Sequence, residues 1–454
     1  MHPALLAIRE ATLATPFEGD LWLVGGAVRD ELLGIRTGTD FDMVTRGSAP
    51  ELARRLYDLG VSSIPPVTYE RFGTAMVHVE GINVELVTAR RESYDEGSRK
   101  PNVEPATYYE DALRRDFTVN TLMRSLHTGE LRDILGKGLD DLEARILRTP
   151  RDPIQTFVDD PLRMLRAVRF RWKLGFTPAA GLYESIVDSR HRLGIVSFER
   201  IRDEFVKMLG HPSAPDALQD LMQLGLFEIF APEFLPMVDC EQGKYHHLDV
   251  WDHTMLVLRN AGCEDLTLSL GALLHDVGKP PTRTVDEEGN TRFFSHEVVG
   301  AQMSRHILRR LKFAERDIDR VAQLVKNHMR LGSSPTFSPA AARRVLRDLG
   351  DQTERLLDLV EADTSALRPG VRVMELRTIR ERLATVQMAT PRETLQSPLS
   401  GREIMELTGV PAGPEVGRIK AYLTEQVLEG SLAPNDKESA KRMIVERFDG
   451  ANGG

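Results

Sequence analysis

The stretch Leu21-Trp-Leu-Val-Gly-Gly-Ala-Val-Arg-Asp30 is followed, ten residues on, by Asp40-Phe-Asp-Met-Val44. An apolar run, a glycine pair and an amphipathic run predict a strand, a tight turn and a helix, and the second stretch predicts another strand. The glycines Gly25 and Gly26 let backbone N–H groups approach a phosphate closely. Because strand side chains alternate, Asp40 and Asp42 are expected on one face, where paired carboxylates suit divalent cations.

Length and composition describe an ordinary globular protein. The 454 residues, 41% hydrophobic and 28% charged, are enough for about three domains. Two cysteines, Cys240 and Cys263, predict a reducing, cytoplasmic location rather than a disulfide framework. No apolar run approaches the roughly 18 residues of a membrane span. A net charge of −9 disfavours nonspecific nucleic-acid coating but allows a local arginine-lined groove.

Periodicity divides the chain into an α/β first part and a helical remainder. The first 150 residues contain four strand-like runs, and from about residue 155 apolar residues recur at helical spacing. The runs are Leu21–Val24, Phe41–Thr45, Ala75–Val79 and Ile82–Thr88. The polar segment 89–106 predicts a mobile loop, the segment 390–398 another loop, and the end 449–454 a frayed tail. Boundaries are expected near residues 232–243 and 368–370.

Glu85 lies between apolar residues in a strand pattern. A carboxylate there is costly to bury unless it is paired or binds a metal. It is therefore a candidate third carboxylate beside Asp40 and Asp42, and the alternative is a strand residue that points to solvent.

The segment Asp159-Asp-Pro-Leu-Arg-Met-Leu-Arg-Ala-Val-Arg169 predicts the start of a helix. Asp160, Arg163, Arg166 and Arg169 recur every third residue and form a polar stripe beside an apolar face. A capped amphipathic helix with exposed arginines accounts for the helix. It does not account for three arginines on one stripe with an acid at its head.

Four histidines and two aspartates form a separate constellation in the second half of the chain. Neutral imidazoles with carboxylates suit one transition-metal ion or a pair of them, and such ions lower the pKa of a bound water. Any one of these histidines alone would be read as a core or surface residue. The residues are His253, His275, Asp276, His296, His328 and Asp363.

The glycine turn with Asp40-Phe-Asp42 resembles the nucleotidyltransferase superfamily that includes DNA polymerase beta. The residues Gly25–Asp30 and Asp40–Asp42 are similar to the motif of the branch that contains tRNA CCA-adding enzymes and bacterial poly(A) polymerases. The resemblance implies Mg²⁺ on Asp40 and Asp42, with Glu85 completing the cluster. It also implies nucleotide contacts from Gly25, Gly26, Arg29 and, within Arg114–Asn120, Arg115. The run Arg90–Tyr94 resembles a flexible loop of CCA-adding enzymes that relatives adding part of CCA tend to lack.

The segment from Asp159 resembles the E-D-x-x-R motif of the same family, with Asp in place of Glu. The resemblance implies that Asp160 and Arg163 pair with the incoming base and that Arg166 also contacts the nucleotide, with Arg169 on the same stripe. A carboxylate accepts from the amino group of cytosine or adenine, and a guanidinium donates to the ring nitrogen. Guanine and uracil present the reverse pattern. The run Ser197–Ile201 resembles the next motif and is expected to buttress this region.

The histidine and aspartate constellation resembles the HD phosphohydrolase superfamily. The resemblance implies a transition metal such as Ni²⁺, Mn²⁺ or Co²⁺, and hydrolysis of phosphoesters or 2′,3′-cyclic phosphates. The fold expected from these resemblances is α+β in four parts: a polymerase-beta-like head (1–150), a helical neck (151–235), an HD body (236–370) and a helical, tRNA-binding tail (371–454).

The sequence therefore predicts a bacterial-class CCA tRNA nucleotidyltransferase that uses CTP and ATP on tRNA. Poly(A) polymerase and partial CC- or A-adding enzymes share the head and stay open as alternatives. A phosphohydrolase with a vestigial head is disfavoured by the Asp40/Asp42 pair, and a non-catalytic RNA-binding protein by the two complete metal sets. The pattern leaves the oligomeric state undetermined.

Overall fold

The computed structural model describes residues 1–35, 38–93, 102–243, 246–331, 337–368 and 376–448. The chain forms two compact units, Met1–Pro232 and Glu233–Gly454. The strands in chain order are β1 Trp22–Val24, β2 Phe41–Thr45, β3 Val67–Tyr69, β4 Thr74–Val79, β5 Ile82–Thr88, β6 Arg90–Ser93, β7 Asn102–Pro105, β8 Met123–Ser125, β9 Leu131–Arg132, β10 Ile146–Leu147, β11 Thr177–Pro178, β12 Arg283–Val285 and β13 Thr291–Phe293.

The helices of the first unit are α1 Pro3–Ala11, α2 Gly26–Leu32, α3 Ala49–Asp58, α4 Tyr108–Leu113, α5 Gly138–Glu143, α6 Pro153–Asp159, α7 Leu162–Leu174, α8 Leu182–Ser189, α9 Phe198–Leu209, α10 Ala214–Gln223 and α11 Phe227–Phe230. Those of the second unit are α12 Val250–Ala261, α13 Leu266–Leu274, α14 Lys279–Thr282, α15 His296–Arg310, α16 Glu315–Asn327, α17 Pro339–Leu349, α18 Thr353–Ser365, α19 Leu376–Ala389, α20 Gly401–Thr408, α21 Pro414–Glu429 and α22 Lys437–Phe448. In the described ranges, no helix is long and apolar enough to cross a membrane.

A mixed sheet forms the first part of unit one, in the order β3-β4-β5-β2-β1-β8-β9. Strand β2 lies between antiparallel β1 and parallel β5. Phe41 and Met43 are buried on one face of the strand, and Val44 is buried on the other face, from which Asp42 also projects. This central position places the Asp42 side chain between two neighbouring strands.

The remainder of unit one is helical and packs around α7. Helix α7 contacts α9 and α10, and its Phe170 ring meets Phe117 edge-on at 5.6 Å between centroids. A helical face of Leu165 and Val168 is fully buried. The stripe predicted from the spacing of three therefore runs along a helix whose apolar side is in the core.

Unit two is built around α12, α13, α16 and α18, which contact one another. Helix α13 is buried along nearly its whole length. Gly271 on α13 lies where a Cβ would be 3.1 Å from the side chain of Leu324, so the two helices approach closely. At the end of the chain, α20, α21 and α22 share a separate apolar cluster centred on Ile404, Leu423 and Ile444.

The α+β fold with a sheet-containing first part and a helical body is confirmed. The helical remainder is, however, interrupted by the β12–β13 hairpin, which the helical reading missed. Arg283–Val285 and Thr291–Phe293 are short, and Asp286-Glu-Glu-Gly-Asn290 between them supplies the turn signals that mark a hairpin.

The loop prediction for residues 89–106 is wrong for the ends of that segment. β6 and β7 pair antiparallel there, with Arg91 opposite Glu104, and Arg91 Nη2 lies 2.5 Å from Glu104 Oε2. Cross-strand pairing outweighed the polar composition. Residues 94–101 of the same loop, the boundary at 369–370 and the tail 449–454 lie outside the described residues. The four-part division stays a prediction.

Candidate active sites in the two units

The glycine turn after β1 brings the backbone against a carboxylate. Gly25 has φ +72°, a conformation that L side chains rarely adopt. A Cβ at Gly25 would lie 3.3 Å from Asp42 Oδ2 and 3.9 Å from Arg115 Nη1. The bare glycine therefore leaves room between the turn, the carboxylate and the guanidinium.

Asp42 and Glu85 are direct partners in the parallel ladder of β2 and β5. Matched residues of neighbouring strands project from the same face of a sheet, so the two carboxylates are neighbours. Asp40 is exposed and immediately precedes β2. The spacing in the sequence could place Asp40 near Asp42, but only the sheet order could place Glu85 there.

Burial, together with Glu85 and Asp40, raises the pKa of Asp42 to about 6, against the opposing effect of Arg115 and Arg166. Gathering carboxylates in a half-buried place is unfavourable unless a cation compensates them. The donor set therefore fits a hard divalent cation such as Mg²⁺. This fit rests on the chemistry of the three carboxylates.

Arg29 is held inside unit one. Its side chain is 3% exposed, and Nε and Nη2 donate to Asp30 Oδ1 at 2.8 and 2.6 Å. Nη1 donates to Asn120 Oδ1 at 2.6 Å, and the guanidinium lies 4.9 Å from the Phe170 ring centroid. The same residue supports the glycine turn, since a Cβ at Gly26 would lie 3.5 Å from Arg29 Nη2. A direct contact from Arg29 to a nucleotide stays a prediction.

Arg115 reaches the glycine turn from the segment just after α4. Its Nε and Nη2 donate to Asp111 Oδ2 at 3.2 and 3.0 Å, which leaves Nη1 nearest the turn. Burial alone would raise the pKa of Asp111, but Arg115 and Arg114 outweigh it and the pKa is lowered. Asp111 thus stays charged and fixes two arginines at the edge of the carboxylate cluster.

Asp160 and Arg163 lie at the start of α7 and are each bound to other groups. Asp160 accepts from Arg200 Nη2 at 2.7 Å and Nη1 at 3.3 Å, and from the Leu162 N–H at 3.2 Å. Arg163 is buried and donates to the carbonyl oxygens of Thr156, at 3.3 Å, and Arg114. The predicted helix start is confirmed to within a few residues, because α7 begins at Leu162, whose N–H donates to Asp160.

The rest of the stripe belongs to a buried ionic network. Arg166 donates twice to Asp116 Oδ2, at 2.9 and 2.6 Å, and its Nη1 lies 3.5 Å from Glu204 Oε1. Arg169 Nε donates to Glu204 Oε2 at 2.6 Å, and Asp116 Oδ1 accepts from Asn120 at 2.9 Å. Burial opposes ionisation of Asp116, but Arg166 and Asn120 outweigh it and lower its pKa to about 2.

The sequence reasoning missed the acids and amides that hold these arginines. Asp116 and Asn120 lie inside a motif already singled out, and Arg200 and Glu204 lie one helical turn apart on α9. A search for acids at helical spacing behind the Ser197–Ile201 run would have found Glu204. Its partners on α7 could not be found in this way, because they are set by the packing of two helices.

The six HD candidates of unit two come together. The candidates form two groups of three, and within each group the ligand atoms lie within 4.8 Å of one another. The first group is His253, His275 and Asp363, and the second is Asp276, His296 and His328. Asp276 joins them, because its Oδ2 lies 3.0 Å from His275 Nε2 and its Oδ1 lies 3.5 Å from His296 Nε2. Asp363 Oδ1 lies 3.0 Å from His253 Nε2.

Three of the imidazoles are oriented by the backbone. Nδ1 of His275 donates to Ala272 O at 2.8 Å, that of His296 to Phe293 O at 2.8 Å, and that of His328 to Val325 O at 2.7 Å. A carbonyl only accepts, so Nδ1 carries a proton and the Nε2 atom of each ring faces the centre. This is the orientation that protein metal sites use.

Both oxygens of Asp276 and the Nε2 of His275 are buried without a hydrogen-bond partner. Lys279 Nζ lies 2.6 Å from Asp276 Oδ2 but is not aligned for a hydrogen bond with it. Burial, with His275 nearby, lowers the pKa of His328 to about 4, so this imidazole is neutral at pH 7. Orphaned buried acceptors beside a neutral imidazole fit a bound metal ion.

A close backbone approach assembles the centre. A Cβ at Gly278, two residues after Asp276, would lie 2.2 Å from His296 O and 2.6 Å from Gly300 N. The turn after α13 therefore packs directly on the start of α15. His246, which the sequence reasoning did not single out, also lies here, with its ring 4.7 Å from that of His253.

The chain matches known families along most of its length. Residues 21–148 match the Poly A polymerase head domain, residues 175–237 the "Probable RNA and SrmB- binding site of polymerase A", and residues 244–366 the HD domain. The chain is 35% identical over 449 residues to the A-adding tRNA nucleotidyltransferase of Deinococcus radiodurans, covering 95% of this chain and 96% of that protein.

Two further relatives extend this likeness. The CC-adding tRNA nucleotidyltransferase of Thermus thermophilus is 33% identical over 444 residues, covering 94% of this chain and 93% of that protein. The crystal structure of the Bacillus stearothermophilus CCA-adding enzyme in complex with CTP covers 100% of this chain and 99% of that chain, with a TM-score of 0.71 and 24% identity. That structure shares the fold of this chain.

Proposed function

The chain belongs to the tRNA nucleotidyltransferase family, the enzymes that add nucleotides to tRNA 3′ ends, and on that premise we propose that it adds complete CCA from CTP and ATP. Complete addition, in place of partial addition, rests on the resemblance of the run Arg90–Tyr94 to the loop of CCA-adding enzymes. The observation that carries nucleotide transfer is the register of Asp42 with Glu85 beside the Gly25 turn. It unites a carboxylate cluster for metal with a bare backbone turn for phosphate.

In the proposed reaction the tRNA 3′-oxygen attacks the α-phosphorus of CTP or ATP. A new P–O bond forms, the α–β phosphoanhydride bond breaks, and pyrophosphate leaves while the hydroxyl proton passes to water. Asp40, Asp42 and Glu85 would hold Mg²⁺, which supplies charge stabilisation at the attacking and leaving oxygens. Arg115, fixed by Asp111, would face the triphosphate at the glycine turn, because its Nη1 lies nearest that turn.

Asp160 and Arg163 are proposed to select the base. An ionised carboxylate has about four acceptor sites and a guanidinium five donors, so both can bind a base without losing all their present partners. Arg200 and the Thr156 carbonyl would then act as positioning groups. A mismatched guanine or uracil would present the reversed donor and acceptor pattern to Asp160 and Arg163, and each polar group left unpaired costs about 1–3 kcal/mol.

Partial addition is the second candidate for the head. The relatives that resemble this chain over nearly its full length include an A-adding and a CC-adding enzyme. A third candidate, poly(A) synthesis, shares the Poly A polymerase head domain. These three activities differ only in the number and order of nucleotides transferred.

One gel separates the three activities. tRNA transcripts that end before CCA, after C and after CC are incubated with Mg²⁺, CTP and ATP, with one of the two nucleotides labelled. Extension of every transcript to CCA supports the proposal. Extension of only the CC-ending transcript with ATP identifies an A-adding enzyme, arrest at CC a CC-adding enzyme, and a long adenosine ladder a poly(A) polymerase.

For the second unit we propose a metal-dependent phosphohydrolase centre. The observation that favours it is the pair of orphaned oxygens of Asp276 among imidazoles whose Nδ1 atoms are bound to backbone carbonyls. His253, His275, Asp276, His296, His328 and Asp363 would hold one or two transition-metal ions, which would lower the pKa of a bound water. In the reaction the water oxygen bonds to phosphorus, a P–O ester bond breaks, and the released oxygen takes the proton.

Metal analysis tests this centre. Full-length protein is loaded with Ni²⁺, Mn²⁺ or Co²⁺, desalted and measured by mass spectrometry, beside the double variant His275→Ala/Asp276→Ala. Retained metal in the unaltered protein and its loss in the variant support the centre. Equal, sub-stoichiometric metal in both would refute it.

A further inference from the structure

One row of side chains across the seven-stranded sheet runs through the carboxylate cluster. Asp42 is opposite Val24 of β1 on one side and Glu85 of β5 on the other. Glu85 is in turn opposite Met76 of β4, and Met76 is opposite Val67 of β3. Matched residues of neighbouring strands project from the same face of a sheet. The two carboxylates therefore lie in the middle of a row that continues to the edge strand β3.

This row is closed at one end and open at the other. Val24 is only 2% exposed, whereas Met76 and Val67 are 40% and 52% exposed. Tyr69, two residues after Val67 and hence on the same face, is 56% exposed. Helix α3 contacts β4 and β5 on the opposite face, where Val77 is buried. Val67, Tyr69 and Met76 thus form an open apolar ledge that is continuous with the carboxylates.

Arg90 lies at one end of the apolar ledge. Thr74, two residues before Met76, is opposite Tyr69, and its Oγ1 accepts from Arg90 Nη1 at 3.3 Å. The same nitrogen donates to Phe72 O at 2.6 Å, which holds the guanidinium in place. An exposed aromatic ring can stack a base, and an oriented guanidinium can bind a phosphate. The two together suit a nucleotide of an RNA chain.

The chemistry of the proposed transfer indicates which nucleotide reaches the ledge. In an in-line displacement the attacking and leaving oxygens lie on opposite sides of the α-phosphorus. The Gly25 turn, proposed to hold the leaving phosphates, directly follows Val24 at the closed end of the row. With the metal on Asp42 and Glu85, the attacking 3′-oxygen therefore approaches from the open end, over β5 and β4.

We propose that the apolar ledge of Val67, Tyr69 and Met76 is a subsite for the 3′-terminal nucleoside of the RNA acceptor, with its base stacked on Tyr69. The inference rests on the proposed nucleotide transfer and assigns acceptor-binding residues to it. Neighbouring strands are about 4.8 Å apart, so the ledge begins about 5 Å from Glu85 and extends to about 10 Å from it. A nucleoside on the ledge thus keeps its 3′-oxygen beside the carboxylates.

The test compares Tyr69→Thr and Tyr69→Phe in the full-length protein. Threonine favours a strand but lacks the ring, and phenylalanine keeps the ring. Tyr57→Ala is the matched control, because Tyr57 is an exposed tyrosine of α3, the helix on the opposite face of the sheet. Two acceptors are used: a tRNA transcript that the unaltered protein extends, and the same RNA with a terminal 1′-deoxyribose, which carries a 3′-hydroxyl but no base.

We expect Tyr69→Thr to lower kcat/KM for the tRNA acceptor roughly 5- to 100-fold, the range of one stacked base. KM for the added nucleotide should stay within about twofold, because that nucleotide lies toward the other end of the row. Tyr69→Phe and Tyr57→Ala should match the unaltered protein. With the base-free acceptor all four proteins should match one another, whereas a merely structural effect of Tyr69→Thr would slow both acceptors.

A photochemical crosslink gives a readout that needs no turnover. The tRNA transcripts that end before CCA, after C and after CC are prepared with 5-iodocytidine as the last residue, bound to the protein and irradiated. Mass spectrometry locates the attached residue. We expect attachment to Tyr69 in the unaltered protein and to the phenylalanine in Tyr69→Phe, and its loss in Tyr69→Thr.

Equal kcat/KM for Tyr69→Thr and the unaltered protein, or an equal loss with the base-free acceptor, overturns the subsite and leaves nucleotide transfer intact. If the unaltered protein extends no RNA, the proposed transfer fails and the crosslink decides the subsite, since attachment elsewhere overturns it. Light scattering tests the other occupant of an open apolar face. A dimer that Tyr69→Thr dissociates, with acceptor kinetics unchanged, assigns the ledge to a second copy of the chain and overturns the acceptor subsite.

Discussion

The polar clusters of the two units compensate their buried charges in different ways. In unit one the arginines are matched by acids: Arg166 by Asp116 and Arg115 by Asp111. In unit two Asp276 is fully buried, yet neither oxygen has a hydrogen-bond partner. The first cluster is balanced by protein groups except at Asp42 and Glu85, whereas the second is organised around a place where a cation would fit.

The side chains of the two sites are oriented by different kinds of groups. Three HD imidazoles, those of His275, His296 and His328, are fixed by main-chain carbonyls three residues before them, so local backbone geometry directs these ligands. The polymerase-like site is fixed by side chains from distant segments, such as Arg29 with Asn120. In each unit, some substitutions should therefore change the chemistry of the site, and others should change only the structure that positions it.

The largest effect is expected for Asp42→Ala, which removes the central head carboxylate. We expect nucleotide addition to fall roughly a thousandfold or more, since a metal site supplies several kcal/mol of transition-state stabilisation. Primer-extension rates with CTP measure it, and metal retained by unit two should stay unchanged. Asp58→Asn, an exposed acid on α3, is the matched control. Near-normal extension by Asp42→Ala would remove Asp42 from the proposed site.

The counterpart in unit two is Gly278→Ala. A Cβ there would lie 2.2 Å from His296 O, so either the turn or α15 must shift, and overpacking of this kind costs about 1–3 kcal/mol. We expect metal affinity to fall about tenfold or more, measured by competition with a chelating dye. Gly417→Ala on α21, with nothing within 4 Å of the added Cβ, should bind metal normally. Equal affinity in the two variants would contradict this account of the turn.

Base selection should respond to Asp160→Asn/Arg163→Gln. Each amide can either donate or accept, so the pair no longer rejects guanine and uracil. We expect use of GTP and UTP relative to CTP and ATP to rise about tenfold, measured as kcat/KM ratios. Asp203→Asn, an exposed acid of α9 paired with Arg202, should leave the ratios unchanged. An unaltered preference for CTP and ATP in the double variant would contradict the assignment of Asp160 and Arg163 to base selection.

The smallest effect is the pH-dependent one. The folded-state pKa of Asp116 is lowered to about 2 from 3.8, so its stabilisation is present above pH 4 and is lost as the pH falls through 2. Asp116→Asn should lower the free energy of unfolding by about 2 kcal/mol at pH 7. Urea titrations at pH 7, 4 and 3 should show this difference shrinking as the pH falls. A constant difference would show that packing, and not ionisation, sets the effect.

Much of the architecture could be predicted from local patterns. The bounds of β2 and β5 were predicted to the residue, because apolar alternation and flanking turn residues are local signals. The β6–β7 and β12–β13 hairpins were missed, because polar strands of three or four residues carry little alternation. The histidine set was found by residue type, but His246 and Gly278 acquire a role only from how helices pack.

By itself the sequence determined the chemistry available: a bare glycine turn, carboxylates two residues apart, an acid and arginine stripe, and imidazoles with aspartates. These depend on residue type and on the fixed periods of strand and helix. The packing of the folded chain determines which of these groups contact one another. It placed Glu85 beside Asp42, paired Asp160 with Arg200 and buried Arg29 against Asn120. Sheet register and helix packing join residues far apart in sequence, and no local spacing encodes that choice.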